Sequence, residues 1–257
     1  MKNKIKNYIK KNFFKECNEI EKLKRENKRL KQINEKLKTM NSFKDEVISA
    51  ISHEFKNPIS IINGYIETII ESNLDEKTKI KFLKKIYNNT TRLSELIDRL
   101  YLITKLENKK LKPKFEKFRL DTVAKNLIDS FDEDRIKLNA KKIEITADKN
   151  LIDIVLRNLI SNALKYSSKE IIVNINEEKV EVIDKGKGID EKHIELIKEK
   201  FYRVAKNDWD NSLGLGLAIV EHILQLHNTK LEIESKKGKG SKFYFDITSL
   251  VNKELQQ

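Results

Sequence analysis

Three side chains able to take part in phosphoryl chemistry lie within five residues on one predicted helix. His53 supplies an imidazole, Glu54 a carboxylate and Asn57 a side-chain amide, and Pro58 follows them. A ring nitrogen of histidine is a candidate phosphate acceptor, and a neighbouring carboxylate can orient the ring. A histidine on a helix surface usually has no special role, so His53 gains meaning only from the second half of the chain.

Two asparagines in that second half form a candidate metal site. Asn158 and Asn162 are four residues apart on a predicted helix and therefore share one face. Amide oxygens are hard ligands suited to Mg²⁺, which keeps several waters and binds nucleotide phosphates. Taken singly, either residue is more readily interpreted as a capping or solvated asparagine.

Glycine-rich segments follow the asparagines. Asp184 ends a predicted strand and could accept a hydrogen bond from an exocyclic amine such as that of adenine, while Gly186 and Gly188 allow a sharp turn beside a ligand. Gly214 and Gly216 open a helix, whose first backbone N–H groups favour phosphate. Any one of these patterns also occurs in ordinary turns. Their order along the chain predicts an ATP site, and with His53 it predicts phosphoryl transfer to histidine.

The apolar pattern predicts one long helix over about residues 18–71 that carries His53. A heptad seam with asparagines at the alternate position predicts a short coiled coil, against the alternative of a lone amphipathic helix. The seam consists of Ile20, Leu23, Leu30 and Leu37, with Asn27 and Asn34 between them.

A turn at 72–76, with Asp75 as the N-cap, leads to a second helix in which apolar residues recur every three or four positions from Ile80 to Leu106. Two such hairpins can bury their apolar stripes as a four-helix bundle, so we expect a homodimer.

The pattern changes after a basic linker that contains Pro113. Helices over about 120–131, 149–166 and 216–227 alternate with short period-two strands, which predicts an α+β domain. The strands are expected near 143–147, 171–176, 179–184, 231–235 and 242–248. The predicted division is a basic helix or coiled coil over 1–40, a dimerisation and phosphotransfer domain over 41–110, a linker over 111–118, an ATP-binding domain over 119–250 and a tail over 251–257.

Composition narrows the setting of the protein. No stretch is apolar enough to predict a membrane-spanning helix, and the single Cys17 excludes an internal disulfide, so we expect a cytoplasmic protein. Residues 1–38 carry fourteen Lys/Arg against five Glu, which is +9 of the formal +13 charge. This segment is interpreted as a solvated helix, or as one in peripheral contact with anionic lipid. It offers no compact fold to aim lysines at base edges, so nucleic acid is not expected as a partner.

Residues 45–250 resemble the catalytic core of a sensor histidine kinase of two-component systems. The resemblance implies a helical hairpin that forms a dimeric four-helix bundle, followed by an α+β sandwich of the GHKL/HATPase type that binds ATP. Five motifs carry it in order: an H-box at 52–58, an N-box at 158–167, a G1 box at 184–188, an F-box at 201–203 and a G2 box at 214–220.

The resemblance implies that His53 attacks the γ-phosphate of ATP and that Glu54 accepts a hydrogen bond from the other ring N–H. The phosphoryl group then passes to an aspartate in the receiver domain of a response regulator. Asn57 would help to orient a water that dephosphorylates that partner, against the alternative of an ordinary surface asparagine. Pro58 should weaken the helix beside His53 and let the upstream coil alter its access to ATP.

For the nucleotide, the resemblance assigns Mg²⁺ to Asn162 with help from Asn158. Lys165 and Arg203 are candidates for neutralising phosphate charge, and Tyr166 for packing near the nucleotide. Asp184 would bind adenine, and four glycines, Gly186, Gly188, Gly214 and Gly216, would shape the pocket and its lid. Phe201, Tyr202 and Trp209 are interpreted as packing residues of the lid. The other three histidines, His193, His222 and His227, lack metal-ligand spacing and are interpreted as structural.

Two features depart from the family pattern. Ser212 stands where the G2 box often has a further glycine, and the segment between Phe131 and Asp148 is short. Other functions also stay open: a catalytically inactive scaffold or phosphotransfer dimer, and a serine kinase or ATP-driven clamp that shares the ATP-binding fold. The intact Asn162, Asp184 and glycines argue against the first, and the His53–Glu54 pair in a dimerising hairpin argues against the second. Input from an upstream sensory protein is one further expectation.

Overall fold

The computed structural model describes residues 2–108, 110–204 and 213–251, and the side chains of 2–21, 39–44 and 46 lie outside that description. The chain divides into two compact units, Met1–His53 and Glu54–Gln257. The predicted coil residue Ile20 has no described side chain, and Trp209 and Ser212 lie outside the described residues altogether.

One helix accounts for the whole described part of the first unit. Helix α1 spans Lys2–Glu71, so the predicted end near residue 71 is confirmed, whereas the helix begins well before residue 18. The straight-chain Lys and Glu residues that fill this segment favour helix, and its only proline is Pro58. The seam residues Leu23, Leu30 and Leu37 are each more than half exposed in the single chain.

The second unit begins with the end of α1 and the hairpin that follows it. Helix α2 spans Glu76–Glu107, and Asp75 caps it by accepting a hydrogen bond from Thr78 N at 2.7 Å, as predicted. The rings of Tyr65 and Phe82 lie 4.9 Å apart and join the two helices of the hairpin. Helix α2, whose Leu96, Ile103 and Leu106 are buried, also packs against a helix of the α+β fold.

The rest of the second unit is a layer of helices on a mixed sheet. Its helices are α3 (Leu120–Asp129), α4 (Lys149–Tyr166), α5 (Gly216–Leu226) and the short α6 (Thr248–Val251). Its strands are β1 (Glu116–Arg119), β2 (Ile136–Ala140), β3 (Glu144–Ala147), β4 (Ile171–Ile175), β5 (Lys179–Asp184), β6 (Glu232–Lys236) and β7 (Gly240–Asp246). The five-stranded sheet has the order β2-β4-β5-β7-β6, and β1 pairs with β3 separately.

Strand pairing and burial explain why this part of the sequence folds as it does. Every neighbouring pair is antiparallel except β2 and β4, which are parallel. In β4 and β5 buried residues alternate with half-buried ones, so one face of the sheet is covered and the other is more open. The covered face meets α4, whose Ile152, Leu156 and Ile160 are fully buried. The predicted α+β sandwich is therefore confirmed.

The segment predicted as a linker ends as part of the α+β fold. Residues 116–119 form β1, which pairs with β3 from Glu116 opposite Ala147. Before it, Lys114 N donates a hydrogen bond to Asp148 Oδ2 at 2.7 Å, and the Phe115 ring lies 5.3 Å from that of His227. The prediction of a linker over 111–118 is wrong for residues 116–118, because a pairing partner far away in sequence makes this short basic stretch a strand.

Strand β2 was also missed, and it lies inside the segment noted as short for the family. Only Ile136 of its five residues is buried, and Leu138 is half-buried, so its apolar alternation is too weak to predict a strand. Its parallel pairing with β4 decides its conformation. The other predicted helices and strands of the α+β part are confirmed within two residues at each end.

A buried histidine joins the end of α5 to the start of α4. His227 is 1% exposed, and its Nε2 accepts a hydrogen bond from Asp148 N at 3.1 Å. Its Nδ1 donates to the carbonyl of Ile223 at 2.8 Å, so the ring is neutral with its proton on Nδ1. Asp148 in turn caps α4 through Leu151 N. The interpretation of His227 as a structural residue is confirmed.

Within the described ranges, none of the helices combines the length and the apolar character that a bilayer crossing requires.

Candidate functional site

A large cavity lies inside the second unit, between α2, α4 and the start of α5. Its volume is about 1070 Å³, and side chains from all three helices, from the turn after β5 and from the loop 189–204 line it. Of the predicted nucleotide residues, the lining includes Asn158, Asn162, Lys165, Tyr166, Asp184, Gly188, Arg203, Gly214 and Gly216. Gly186 stands in the same turn as Gly188. The tertiary structure thus brings together residues that are up to 58 positions apart in the sequence, from Asn158 to Gly216.

Asp184 forms one end of this cavity. Its side chain is 5% exposed at the end of β5, and Oδ1 accepts a hydrogen bond from Gly186 N at 2.7 Å. Ser241, directly opposite in β7, also hydrogen-bonds to the carboxyl group. Burial raises the pKa of Asp184, and the hydrogen bonds from Gly186 and Ser241 partly oppose that rise. A nearly buried carboxylate held by the backbone is suited to accept one hydrogen bond from a planar amine.

Close backbone contacts explain the glycines around Asp184. A Cβ on Gly186 would lie 2.1 Å from the carbonyl oxygen of Tyr166, and one on Gly188 would lie 2.1 Å from that of Lys236. Gly240 has the same constraint: its φ is +99°, and a Cβ would lie 2.1 Å from the Asp184 carbonyl oxygen. The turn after β5 is therefore packed against backbone on two sides.

A second close approach fixes the N-terminus of α5 beside α4. A Cβ on Gly216 would lie 2.9 Å from Asn158 Oδ1, so any larger residue here would displace the Asn158 side chain. Leu215 precedes the helix and offers no side-chain cap, which leaves the first backbone N–H groups of α5 to a ligand or solvent. With Gly214 and Gly216 both lining the cavity, the helix end is placed for an anion.

A backbone contact joins the F-box to the residues just before α5. Phe201 N donates to the carbonyl of Gly214 at 3.1 Å, although Phe201 itself has a φ of +62°. That conformation is strained for a residue with a side chain. Tyr202 hydrogen-bonds to His193 Nδ1 at 2.6 Å, which ties the F-box to the turn at Glu191–His193. The interpretation of Phe201 and Tyr202 as packing residues agrees with these contacts.

Positive charge dominates the cavity wall. Lys165 and Lys187 place their Nζ atoms 5.0 and 4.7 Å from the ring centre of Tyr166, one residue after Lys165. Further cations line the same cavity: Arg92, Arg99, Lys192, Arg203 and Lys237. Such a concentration of cations around an anion-binding helix terminus suits a polyphosphate.

The two asparagines fit Mg²⁺ only in company with phosphate oxygens. Asn158 Nδ2 donates to the carbonyl of Ile154 at 2.8 Å, which turns its oxygen toward Gly216, and Asn162 follows one turn later at the cavity wall. Among the described residues, no three His, Cys, Asp or Glu side chains stand close enough to hold a metal ion. A magnesium ion with several waters and phosphate ligands needs only one or two protein oxygens, so the amides suffice.

Comparison with known families agrees with this geometry. Residues 43–109 match the His Kinase A (phospho-acceptor) domain, and residues 147–250 match the histidine kinase-, DNA gyrase B-, and HSP90-like ATPase. The phosphate regulon sensor protein PhoR of Haemophilus influenzae is 31% identical over 234 residues, which are 83% of this chain and 54% of that protein. The chain belongs to the sensor histidine kinase family.

Another relative is the sensor histidine kinase WalK of Bacillus subtilis, which is 29% identical to this histidine kinase. The match covers 81% of this chain and 37% of WalK. The chain spans about half the length of the curated relatives it matches. Among solved structures, the histidine kinase AdeS of Acinetobacter baumannii superposes with a TM-score of 0.61 at 24% identity. That match covers 78% of this chain and 98% of AdeS, and it supports the fold.

The H-box of the kinase lies where the two units meet in sequence. His53 ends the first unit and is exposed, and Ser52 Oγ before it donates to the carbonyl of Ile48 at 2.8 Å. In the second unit Glu54 and Pro58 are buried, whereas Asn57 is exposed. Glu54 is 7% exposed, and Arg92 Nη2 lies 3.7 Å from its Oε2.

Several residues of the kinase site escape prediction from sequence. Ser241 and Gly240 support Asp184 from β7, and Arg92 and Arg99 reach the cavity from α2. The Gly-x-Gly pair at Gly238 and Gly240, directly before a period-two strand, is a signal that could have indicated a functional turn. Nothing in the sequence around Arg92 or Arg99 separates them from the chain's other surface cations.

Proposed function

We propose that this chain is an ATP-dependent protein histidine kinase that phosphorylates His53 and passes the phosphoryl group to an aspartate of a response regulator. The observation that supports it most is the cavity itself. It combines a buried carboxylate, two amide oxygens and an uncapped helix N-terminus within one enclosure of about 1070 Å³. The carboxylate is suited to adenine, the amide oxygens to a magnesium ion on the phosphates, and the helix N-terminus to the phosphate chain.

The chain's own groups would divide the work of binding ATP. The Asp184 carboxylate accepts a hydrogen bond from the adenine amine, and the N-terminus of α5 donates to phosphate oxygens. Lys165 and Arg203 balance the charge of the phosphates. Mg²⁺ bound by Asn162, with Asn158 beside it, would neutralise phosphate charge. The pocket needs no nucleophile of its own, because phosphoryl transfer depends chiefly on positioning and charge stabilisation.

The acceptor chemistry belongs to the H-box. A ring nitrogen of His53 attacks the γ-phosphorus, a nitrogen–phosphorus bond forms, and the bond to the leaving β-phosphate oxygen breaks to release ADP. The Glu54 carboxylate accepts a hydrogen bond from the other ring N–H and so fixes the tautomer and stabilises the positive charge that develops on the ring. Asn57, exposed one helical turn later, would orient the water that dephosphorylates the response regulator.

We also infer that the chain works as a homodimer. We propose that its domains have the limits predicted from sequence, except that residues 116–119 belong to the ATP-binding domain. Large apolar side chains stand exposed along α1 and α2 of the single chain, and a second hairpin would bury them. They include Ile48, Ile66, Ile70, Ile80, Leu83, Tyr87, Ile97 and Tyr101.

Incubation with γ-labelled ATP and Mg²⁺ tests the kinase proposal. We expect label that is stable to alkali and labile to acid, as a phosphoramidate is, and its absence from His53→Gln. A matched control is His222→Gln, since His222 lies on α5 and its Nδ1 bonds to the carbonyl of Ala218 at 2.9 Å. A chain that binds ATP but takes up no label would instead be a scaffold of the same fold.

A further inference from the structure

The buried carboxylate of Glu54 has an incomplete set of partners. Its side chain is 7% exposed, and Oε2 is buried without a hydrogen bond from any described residue. Arg92 Nη2 lies 3.7 Å from that oxygen, a separation that gives charge attraction but is too long for a hydrogen bond. Burying an ionised carboxylate without such a bond is costly unless the open position serves a ligand or a reacting group.

Cations from three separate elements face Glu54. Arg92 comes from α2, Lys165 from α4 and Arg203 from the F-box, and all three lower the pKa of Glu54. Burial acts more strongly in the opposite direction, so the pKa of Glu54 lies above its ordinary value. A carboxylate in this balance is a stronger base than an exposed one, and the neighbouring positive charges favour its ionised form.

Arg92 contacts the carboxylate as an ion pair, and it also lines the cavity. Its side chain is 40% exposed, whereas that of Glu54 is 9% exposed, so the arginine reaches from the buried carboxylate into more open surroundings. The sequence places Glu54 directly after His53.

We propose that Arg92 is a positioning residue that holds Glu54 ionised and in place, so that its free hydrogen-bonding position can serve the imidazole of His53. This inference rests on the proposed kinase function. Without the arginine, the buried Glu54 takes up a proton at a higher pH and stops accepting a hydrogen bond from the ring. Autophosphorylation should then fall near neutral pH and recover as the pH rises.

The test is the pH dependence of autophosphorylation at saturating ATP, so that losses of nucleotide affinity do not enter. For Arg92→Gln we expect a rate about tenfold lower than wild type at pH 7, and within about threefold of it at pH 9. The acidic limb of the profile moves to higher pH. Arg92→Lys, which keeps the charge, should move it less, and Glu54→Gln should remove that limb along with most of the rate.

Two charge-matched variants separate this role from a general loss of positive charge. Lys84→Gln removes a cation from an exposed position of α2 outside the cavity and should leave the profile unchanged. Arg99→Gln removes a cation from the cavity wall and should raise the ATP concentration needed for saturation without moving the acidic limb. If Arg92→Gln does not fold, as judged by circular dichroism, Arg92→Lys carries the test.

The outcomes distinguish the inference from the proposed function. A wild-type chain that incorporates no acid-labile label contradicts the kinase proposal itself. A wild-type chain that labels His53, together with an Arg92 variant whose acidic limb coincides with that of wild type, overturns only the role of Arg92. A rate that falls equally at every pH also overturns it, because a merely structural defect gives that result.

Discussion

At the scale of single residues, the site depends on how burial and local partners set the basicity of carboxylates. Asp184 and Glu54 are both nearly buried, yet they differ in their partners. Asp184 is held by backbone and hydroxyl donors from Gly186 and Ser241, whereas Glu54 faces cations and keeps an open acceptor. The arrangement at Asp184 suits recognition of a neutral amine. The arrangement at Glu54 suits acceptance of a hydrogen bond from the ring N–H of His53.

The raised pKa of Asp184 predicts a pH-dependent nucleotide affinity. Adenine recognition requires the ionised carboxylate, so affinity should be full above the raised pKa and be lost as the pH falls through it. We expect Asp184→Asn to bind ATP about a hundredfold more weakly at neutral pH, because its amide presents the wrong group to the amine. Titration with a fluorescent ATP analogue between pH 5 and 8 measures both effects.

Asp129→Asn is the matched control for this measurement, since it changes an exposed aspartate at the end of α3. Its affinity should follow the wild-type curve at every pH. An Asp184→Asn variant that keeps wild-type affinity would show that adenine is held elsewhere in the cavity.

At the scale of the elements, close backbone contacts decide where the cavity ends. Strand β7 begins at Gly240, whose missing Cβ leaves room for the carbonyl of Asp184 in β5. Gly238, in the same turn, also has a positive φ of +80°, but apart from its chain neighbours no described residue has an atom within 4 Å of where its Cβ would be. An alanine at Gly238 therefore tests the strain of a positive φ alone, whereas an alanine at Gly240 tests that strain together with a steric clash.

We expect Gly238→Ala to lower the free energy of unfolding by about 1 kcal/mol, which is the cost of a left-handed conformation alone. Gly240→Ala should cost more, roughly 3 kcal/mol, and should also weaken ATP binding, because the strands must separate at Asp184. Urea denaturation with and without ATP gives both numbers. Equal losses in the free energy of unfolding for the two variants would contradict the predicted clash between a Cβ at position 240 and the Asp184 carbonyl oxygen.

The buried His227 gives a second prediction for the elements. It joins α5 to α4 by accepting the Asp148 N–H, so His227→Phe leaves that buried donor without a partner. We expect a loss of about 1–3 kcal/mol in the free energy of unfolding, measured by denaturation with urea. His193→Phe, which replaces a half-buried ring, should cost less. A His227→Phe variant as stable as wild type would show that solvent or another group satisfies Asp148 N.

At the scale of the whole molecule, the exposed apolar faces of the helices predict a dimer. Ile70 is 76% exposed and Leu83 is 56% exposed in the single chain, positions that a four-helix bundle would bury. We expect the double variant Ile70→Asp with Leu83→Asp to be monomeric in sedimentation equilibrium at concentrations where wild type is a dimer. Lys77→Asp with Lys81→Asp, at exposed basic positions of α2, should remain dimeric. A monomeric wild type would contradict the proposal.

Much of the fold follows from local sequence patterns. The hairpin turn with its Asp75 cap, the α4 limits and five of the strands were predictable because the local apolar period, capping residues and glycines there agree with the final structure. Strands β1 and β2 were not, since each is short, poorly alternating and stabilised by a distant partner strand. The same limit applies to Ser241, which supports Asp184 only because β5 and β7 pair in that register.

The sequence by itself determined the chemical inventory of this protein: an imidazole beside a carboxylate, two amides one helical turn apart, and a carboxylate and glycines in the order of a nucleotide site. These are local patterns whose spacing alone sets which side chains share a face or a turn. Only the tertiary structure decided that Arg92 lies 3.7 Å from Glu54 and lines the cavity that holds Asp184. Packing of α1 on α2 brings Arg92 to Glu54, and packing of α2 on the α+β fold brings Arg92 to the cavity. No local period encodes either contact.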